Sequence, residues 1–165
     1  MTFIIGGARS GKSAHAETLA TALPSPWAYL ATAEAYDDEM RERIAQHRSR
    51  RGEGWATIDA PLDLAGALEA LPDNQPVLVD CLTLWLTNHM LADHELDAEC
   101  LRLADVLSRP RGPWFVVSNE VGQGIVPDNA LARRFRDDAG RLNQQVAAIA
   151  DTVLLMVAGL PLKVK

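Results

Sequence analysis

The chain has 165 residues, 48% of them apolar and 23% charged, with a formal net charge of −6. That length predicts one domain with a full core over residues 1–165, and the acidic balance argues against a nucleic-acid binder or a binder of anionic membranes. No apolar run approaches the roughly 18–20 residues that span a bilayer, the start leaves no room for a signal peptide, and two cysteines outside any C-x-x-C spacing fit a reducing cytoplasm.

Phe3-Ile4-Ile5 predicts a first strand, and Ser13 to Leu23, rich in Ala, Leu and Glu, a first helix. Between them Gly6-Gly7-Ala8-Arg9-Ser10-Gly11-Lys12-Ser13 reads G-x-x-x-x-G-K-S, the phosphate-binding loop of P-loop NTPases. Its glycines are expected to let the backbone turn so that N–H groups converge on phosphate oxygens. The helix beginning near Lys12 adds the positive end of its dipole. Lys12 is expected on the outer phosphates and the Ser13 hydroxyl on Mg²⁺. Strand, loop and helix in this order predict a nucleoside triphosphate binder.

A second strand is predicted at Trp27 to Thr32, after the turn Pro24-Ser25-Pro26. A charged helix follows from about Asp37 to Arg51, acids first and arginines last as the dipole prefers, ended by Gly52 and Gly54. Leu62 to Leu71 reads as a helix, Pro72 to Pro76 as a turn, and Val77-Leu78-Val79 as a buried strand ending on Asp80. Helices are predicted at Thr83 to Met90 and Leu96 to Leu107. Trp114 to Val117 is a fourth strand running into Ser118-Asn119-Glu120. The segment Val121 to Pro127 is too rich in Gly and Pro for regular structure. A long helix then places Leu131, Phe135, Ala139, Leu142, Val146 and Ile149 on one face. Thr152 to Val157 is the last clear strand, with a short edge at Leu162 to Lys165. Such alternation predicts an α/β fold, a mostly parallel central sheet flanked by helices. Ligands of such sheets bind beyond the carboxyl ends of the strands, where Asp80, Asn119, Glu120 and the phosphate loop would meet.

Asp80 ends a three-residue apolar strand, the Walker-B pattern that holds Mg²⁺ directly or through water. The same residue could instead cap the helix beginning near Thr83. His47 is surrounded by Arg41, Arg43, Arg48, Arg50 and Arg51. On a continuous helix Arg43 and Arg51 lie one turn either side of it. Nearby positive charge disfavours imidazolium and keeps the ring nucleophilic. Such a ring could attack an α-phosphate and release pyrophosphate. A solvated Arg/Glu face with an incidental histidine has the same spacing, and spacing leaves both open. His15, His89 and His94 read as carrying no chemistry, His15 with the solvent or loop contacts usual in the helix after the phosphate loop, and the four tryptophans as packing for the sheet.

GGARSGKS, ATAEAYDDEMRERIAQHRSRR, VDCLTLWLTN and SNEVGQGIVPDNALARRFRDDAGRLNQQVA, in that order, resemble the bifunctional adenosylcobinamide kinase/adenosylcobinamide-phosphate guanylyltransferase family of cobalamin biosynthesis. The similarity covers essentially the whole chain, and its last segment is far more specific than any phosphate loop. It implies a RecA-like fold and a homotrimer with GTP between subunits. It implies a guanylylated histidine at His47; Lys12, the other catalytic candidate, would stabilise charge developing on the phosphates together with Ser13-bound Mg²⁺ and Asp80. GTP contacts would fall on Gly6, Gly7, Ala8, Arg9, Ser10, Gly11, Lys12 and Ser13. Others would come from Ala31, Thr32 and Ala33, from Arg48, Ser49, Arg50 and Arg51, and from Asp59 and Asp80. Two departures stand out: Gly52 where a proline often follows the arginines, and Ala33 where the triplet can end in Ser.

The implied chemistry has two reactions. A nucleoside triphosphate, ATP or GTP, gives its γ-phosphoryl group to adenosylcobinamide. GMP from GTP then passes through His47 to adenosylcobinamide phosphate, giving adenosylcobinamide-GDP. Glu120 is a candidate base for the first step by position alone, and a loop carboxylate bonding its neighbours would sit in the same place. At the strand ends where a regulatory GTPase carries N-K-x-D and D-x-x-G, Asn119 is followed by Glu120 and Asp80 by Cys81-Leu82-Thr83. A generic small-molecule kinase without a covalent intermediate, and a GTP-binding module without turnover, are the rival expectations.

Overall fold

In the computed structural model, residues 1–34, 38, 41, 42 and 52–165 are described. The elements in chain order are β1 (Thr2–Gly6), α1 (Lys12–Thr21), β2 (Trp27–Ala31), β3 (Trp55–Asp59), α2 (Leu64–Glu69), β4 (Val77–Asp80), α3 (Leu82–Leu91), α4 (Leu96–Leu107), β5 (Trp114–Asn119), α5 (Ala130–Ile149), β6 (Thr152–Val157) and β7 (Leu160–Lys163). The strands form one sheet in the order β3-β2-β4-β5-β1-β6-β7. Neighbours run parallel except β6 and β7, which form an antiparallel hairpin. The expected α/β fold is therefore present.

Side chains alternate across each strand, and the two faces pack separately. Phe3, Leu30, Val79 and Val116 join the larger core with Leu64, Leu68, Trp85, Leu103 and Leu142 from α2 to α5. Their neighbours Ile4, Tyr29, Leu78 and Val117 face α1, which meets them with small Ala16 and Ala20. Small residues let α1 lie close to the sheet, which brings its first turn near the end of β1.

Several expectations need correction. The sequence reading has no strand at Trp55–Asp59, yet β3 pairs in parallel with β2 at the sheet edge. The helix expected over Leu62 to Leu71 is shorter, because Asp63 caps it through Gly66 N–H at 3.1 Å and leaves Leu62 outside. The edge strand starts at Leu160, not Leu162. Leu131 was expected on the apolar face of α5, but it is exposed, while Ala139, Leu142 and Val146 are buried. The helix expected from Asp37 to Arg51 lies outside the described residues, apart from helical Asp38, Arg41 and Glu42, with Arg41 paired to Asp38. The tryptophans do pack: Trp85 and Trp114 are buried, and Trp27 lies 5.5 Å from Trp55 between ring centroids.

Candidate functional site

Register fixes which residues meet at the carboxyl edge. Gly6 pairs with Asn119 on one side and Met156 on the other. Ala31 pairs with both Asp59 and Asp80, so the two acids flank β2 at the same height. Neighbouring strands are about 4.8 Å apart, which puts Asp59 and Asp80 two strand spacings from each other. Asp80 is one strand from β5 and two from the phosphate loop's strand.

The loop itself is held from both sides. Glu120 N–H donates to Gly6 O at 2.9 Å, and Gly159 N–H donates to Ser10 O at 3.0 Å. Its glycines act for different reasons. Gly11 has φ 94°, left-handed backbone that favours glycine, and it starts α1 without a side-chain cap. Gly6 is needed for packing, since a Cβ there would stand 2.7 Å from Met156 O. Gly7 needs neither a special φ nor close packing: a Cβ there would meet nothing within 4 Å. Its open side, the uncapped N–H groups of α1 and the buried, unpartnered Ser10 Oγ together suit an anion. Ala8 and Arg9 are exposed beside this opening.

Lys12 is buried and its ammonium donates to Gly7 O at 2.6 Å. Burial lowers its pKa, and the charges of Cys81 and Asp80 oppose that. Burial pushes the Cys81 thiol up to about 11, so near neutral pH Asp80 is the charge that favours lysine's ammonium form. Asp80 Oδ2 accepts from Tyr29 Oη at 2.9 Å, a partner that strand spacing did not announce. Ser13 follows Lys12 in the first turn of α1. The Ser13 hydroxyl and the Asp80 carboxylate are hard oxygen donors of the kind Mg²⁺ prefers. Among the described residues, no group of three or more His, Cys, Asp or Glu could hold a metal by itself. Mg²⁺ commonly takes one or two protein oxygens and completes its ligands with phosphates and water, which suits this pair.

Thr32 is fully buried. Its hydroxyl donates to Cys81 O at 2.7 Å and accepts Cys81 N–H at 2.8 Å. Asn88 Nδ2 donates to Thr32 O at 2.8 Å and to Pro61 O at 2.9 Å. The threonine of the Ala31-Thr32-Ala33 triplet therefore ties β2 to β4, and its half-buried neighbours Ala31 and Ala33 face outward more. Asn119 Nδ2 donates to Thr83 Oγ1 at 2.7 Å, and Asn143 Nδ2 donates to Asn119 O at 3.0 Å. Glu120 Oε1 accepts Gly122 N–H at 2.6 Å, the neighbour-bonding arrangement rather than a free base. His47, Arg48, Ser49, Arg50 and Arg51 lie outside the described residues.

Comparison with known proteins adds to this geometry. The profile of CobU, described as cobinamide kinase / cobinamide phosphate guanyltransferase, matches residues 2–164. The bifunctional adenosylcobalamin biosynthesis protein CobP of Pseudomonas aeruginosa is 47% identical over 165 residues, covering 98% of this chain and 95% of its own. The protein of the same description, CobU, from Escherichia coli is 40% identical over 181 residues, covering 100% and 99%. Its Salmonella typhimurium counterpart is 40% identical over 182 residues, again covering 100% and 99%. A solved chain from Pyrococcus horikoshii OT3 shares the fold, with a TM-score of 0.52 at 10% identity, covering 100% of this chain and 85% of that one.

Proposed function

The chain belongs to the CobU family of cobinamide kinase / cobinamide phosphate guanyltransferases, and from that premise we propose how its one phosphate loop serves both reactions. It is a bifunctional enzyme that phosphorylates adenosylcobinamide and then converts the product to adenosylcobinamide-GDP. In the first reaction the acceptor hydroxyl attacks the γ-phosphorus of ATP or GTP, its proton leaves, and the nucleoside diphosphate departs. In the second, a nitrogen of His47 attacks the α-phosphorus of GTP, an N–P bond forms and pyrophosphate leaves. The acceptor's phosphate oxygen then displaces His47 and takes the GMP.

What supports this most is Lys12, buried beside Asp80 and bonded to Gly7 O at 2.6 Å. Arriving phosphate oxygens replace that carbonyl, so the ammonium is already aimed at the charge that develops in either transfer. The loop N–H groups from Gly7 to Ser13 orient the triphosphate, and Ala31, Ala33, Asp59 and the Arg48 to Arg51 segment fix which phosphorus faces the nucleophile. Ser13 and Asp80 would hold Mg²⁺, which supplies charge neutralisation on the phosphates. We further propose one catalytic domain working in the cytoplasm as a homotrimer with GTP between subunits. No helix among the described residues is long and apolar enough to cross a membrane.

The test is retention of label. Protein incubated with Mg²⁺ and GTP labelled on its α-phosphate, then denatured, should hold an adduct stable to alkali and lost in acid. His47→Ala should retain none while still phosphorylating adenosylcobinamide. Equal retention by that variant would remove His47 as nucleophile. Kinase activity with no retained label in the parent protein would leave a kinase alone.

A further inference from the structure

The most specific stretch of the sequence, Asn119 to Leu131, has so far contributed only hydrogen bonds to the loop. It begins at the phosphate loop, since Asn119 pairs with Gly6 and Glu120 N–H donates to Gly6 O at 2.9 Å. Both of its ends are fastened. At the start, Glu120 Oε1 accepts Gly122 N–H at 2.6 Å. At the far end, Arg133 Nη1 donates to Pro127 O at 2.9 Å and Asp128 O at 2.7 Å. Asn129 Oδ1 accepts Ala132 N–H at 3.0 Å and caps α5.

Between these fastenings the chain shows water what a connecting loop normally hides. Ile125 is 97% exposed and Val126 61%, and just past the second fastening, in the first turn of α5, Leu131 is 56% exposed. Exposed loop tips usually carry small or polar residues, and exposed apolar groups gathered beside a site mark a surface that something covers. Gly124 adds open backbone, because a Cβ there would meet nothing within 4 Å. We propose that residues 122–131 are the docking surface for the corrin ring of the acceptor. The proposal rests on the reading that this chain acts on cobinamide.

The chemistry of that acceptor matches the surface. A corrinoid is a broad disc with apolar, methyl-bearing faces and an amide-bearing rim, and its reacting hydroxyl sits on a short arm. Ile125, Val126 and Leu131 supply apolar contact for a face, and the bare backbone around Gly124 supplies groups for rim amides. The short arm requires the disc to lie close to the γ-phosphate, and this loop springs from the residue bonded to Gly6. The other exposed apolar row, Leu160, Leu162 and Val164, follows the open edge strand β7 down the flank of the sheet. An unpaired strand edge suits a polypeptide better than a macrocycle.

The double variant Ile125→Ser/Val126→Ser tests this, with Ile125→Leu as the conservative control. Expected is a rise of tenfold or more in KM for adenosylcobinamide, as loss of apolar contacts of this size gives. The KM for the nucleotide, the α-label retained from GTP without corrinoid, and the sedimenting mass should all stay as in the parent. Ile125→Leu should keep the parent's corrinoid KM. An unchanged corrinoid KM in the double variant overturns the proposal. So does a changed sedimenting mass, which would assign the surface to a second copy, or an equal rise in nucleotide KM. Failure of the parent protein itself to phosphorylate cobinamide would instead sink the family-based reading.

Discussion

Gly11 and Gly159 approach so closely that a Cβ on Gly11 would stand 3.2 Å from Gly159 Cα. The turn between β6 and β7 thus presses on the start of α1, while its N–H holds Ser10 O. On the opposite side Glu120 N–H holds Gly6 O. A phosphate loop tied at both ends pays little ordering entropy when its anion arrives, which is how preorganisation raises affinity.

Two glycine substitutions separate the loop's scaffold from its cradle. Gly11→Ala places a Cβ at φ 94° against Gly159, which costs about 2 kcal/mol from the left-handed backbone alone. For a chain of this length that lowers Tm by roughly 4–8 °C. Gly7→Ala meets no protein atom within 4 Å, so Tm should hold while the KM for the nucleotide rises by about tenfold or more, because the methyl stands where phosphate would lie. Thermal melts and nucleotide titrations on both variants check this. Normal nucleotide binding by Gly7→Ala would place the anion elsewhere.

Asp80→Asn keeps an oxygen to accept from Tyr29 Oη and removes the charge beside Lys12. Both reactions should slow by about 10²-fold or more, the scale of losing one electrostatic stabiliser. The Mg²⁺ concentration giving half-maximal rate should move upward, because a carboxylate donor has become an amide. Cys81, not Asp80, holds the cap position of α3, so unchanged rates and Mg²⁺ dependence would reduce Asp80 to the acceptor of Tyr29 Oη.

What could be read from the sequence was whatever local chemistry decides. Phe3-Ile4-Ile5 followed by G-x-x-x-x-G-K-S led directly to β1, its loop and α1, and α4 and β6 run over the expected residues. β3 escaped notice because Trp55-Ala56-Thr57-Ile58-Asp59 is short, mostly exposed, and paired on one side only. Its strand character comes from β2, not from its own pattern. Leu131 fits the helical period, but the first turn of α5 extends past the core, which periodicity cannot reveal. Thr32 and Cys81 are 49 residues apart and share two hydrogen bonds; that pairing belongs to the register of β2 on β4 and leaves no trace in spacing.

Asn88 carries a stability prediction. Its amide serves two carbonyls, Thr32 O and Pro61 O, which binds the ends of β2 and the segment after β3 to α3. Asn88→Ala leaves the buried Thr32 O and the half-buried Pro61 O short of a donor, at a cost of about 1–3 kcal/mol. Chemical denaturation should show the midpoint falling with an unchanged slope. A loss below about 0.5 kcal/mol would mean that water replaces the amide at both carbonyls.

His89 makes the stability of the α3 end depend on pH. Its Nε2 lies 3.1 Å from Leu62 O, which can only accept, so Nε2 carries the proton. Nδ1 is then a lone pair facing His94 Nδ1 at 3.0 Å, and His94 donates to it. Trp85 packs against the ring at 4.5 Å between centroids, tilted by 56°, and donates its own indole N–H to Leu62 O at 2.8 Å. Burial holds the His89 pKa below its ordinary value, with His94 acting in the same direction and the Leu62 carbonyl and Glu99 against it. Protonation would put a proton on the nitrogen that now accepts, so this bond would last only if His94 moved its own proton to Nε2. Because the unfolded chain takes up this proton first, the neutral ring's contribution is complete above about pH 6.5 and is lost as pH falls through the lowered folded value. The slope reaches at most about 1.4 kcal/mol per pH unit. Melts from pH 7.5 to 5 should show the parent losing more stability than His89→Gln, whose amide can bond Leu62 O without titrating. Carboxylates titrate alike in both proteins, so parallel curves would mean that His89 contributes nothing to the acid limb.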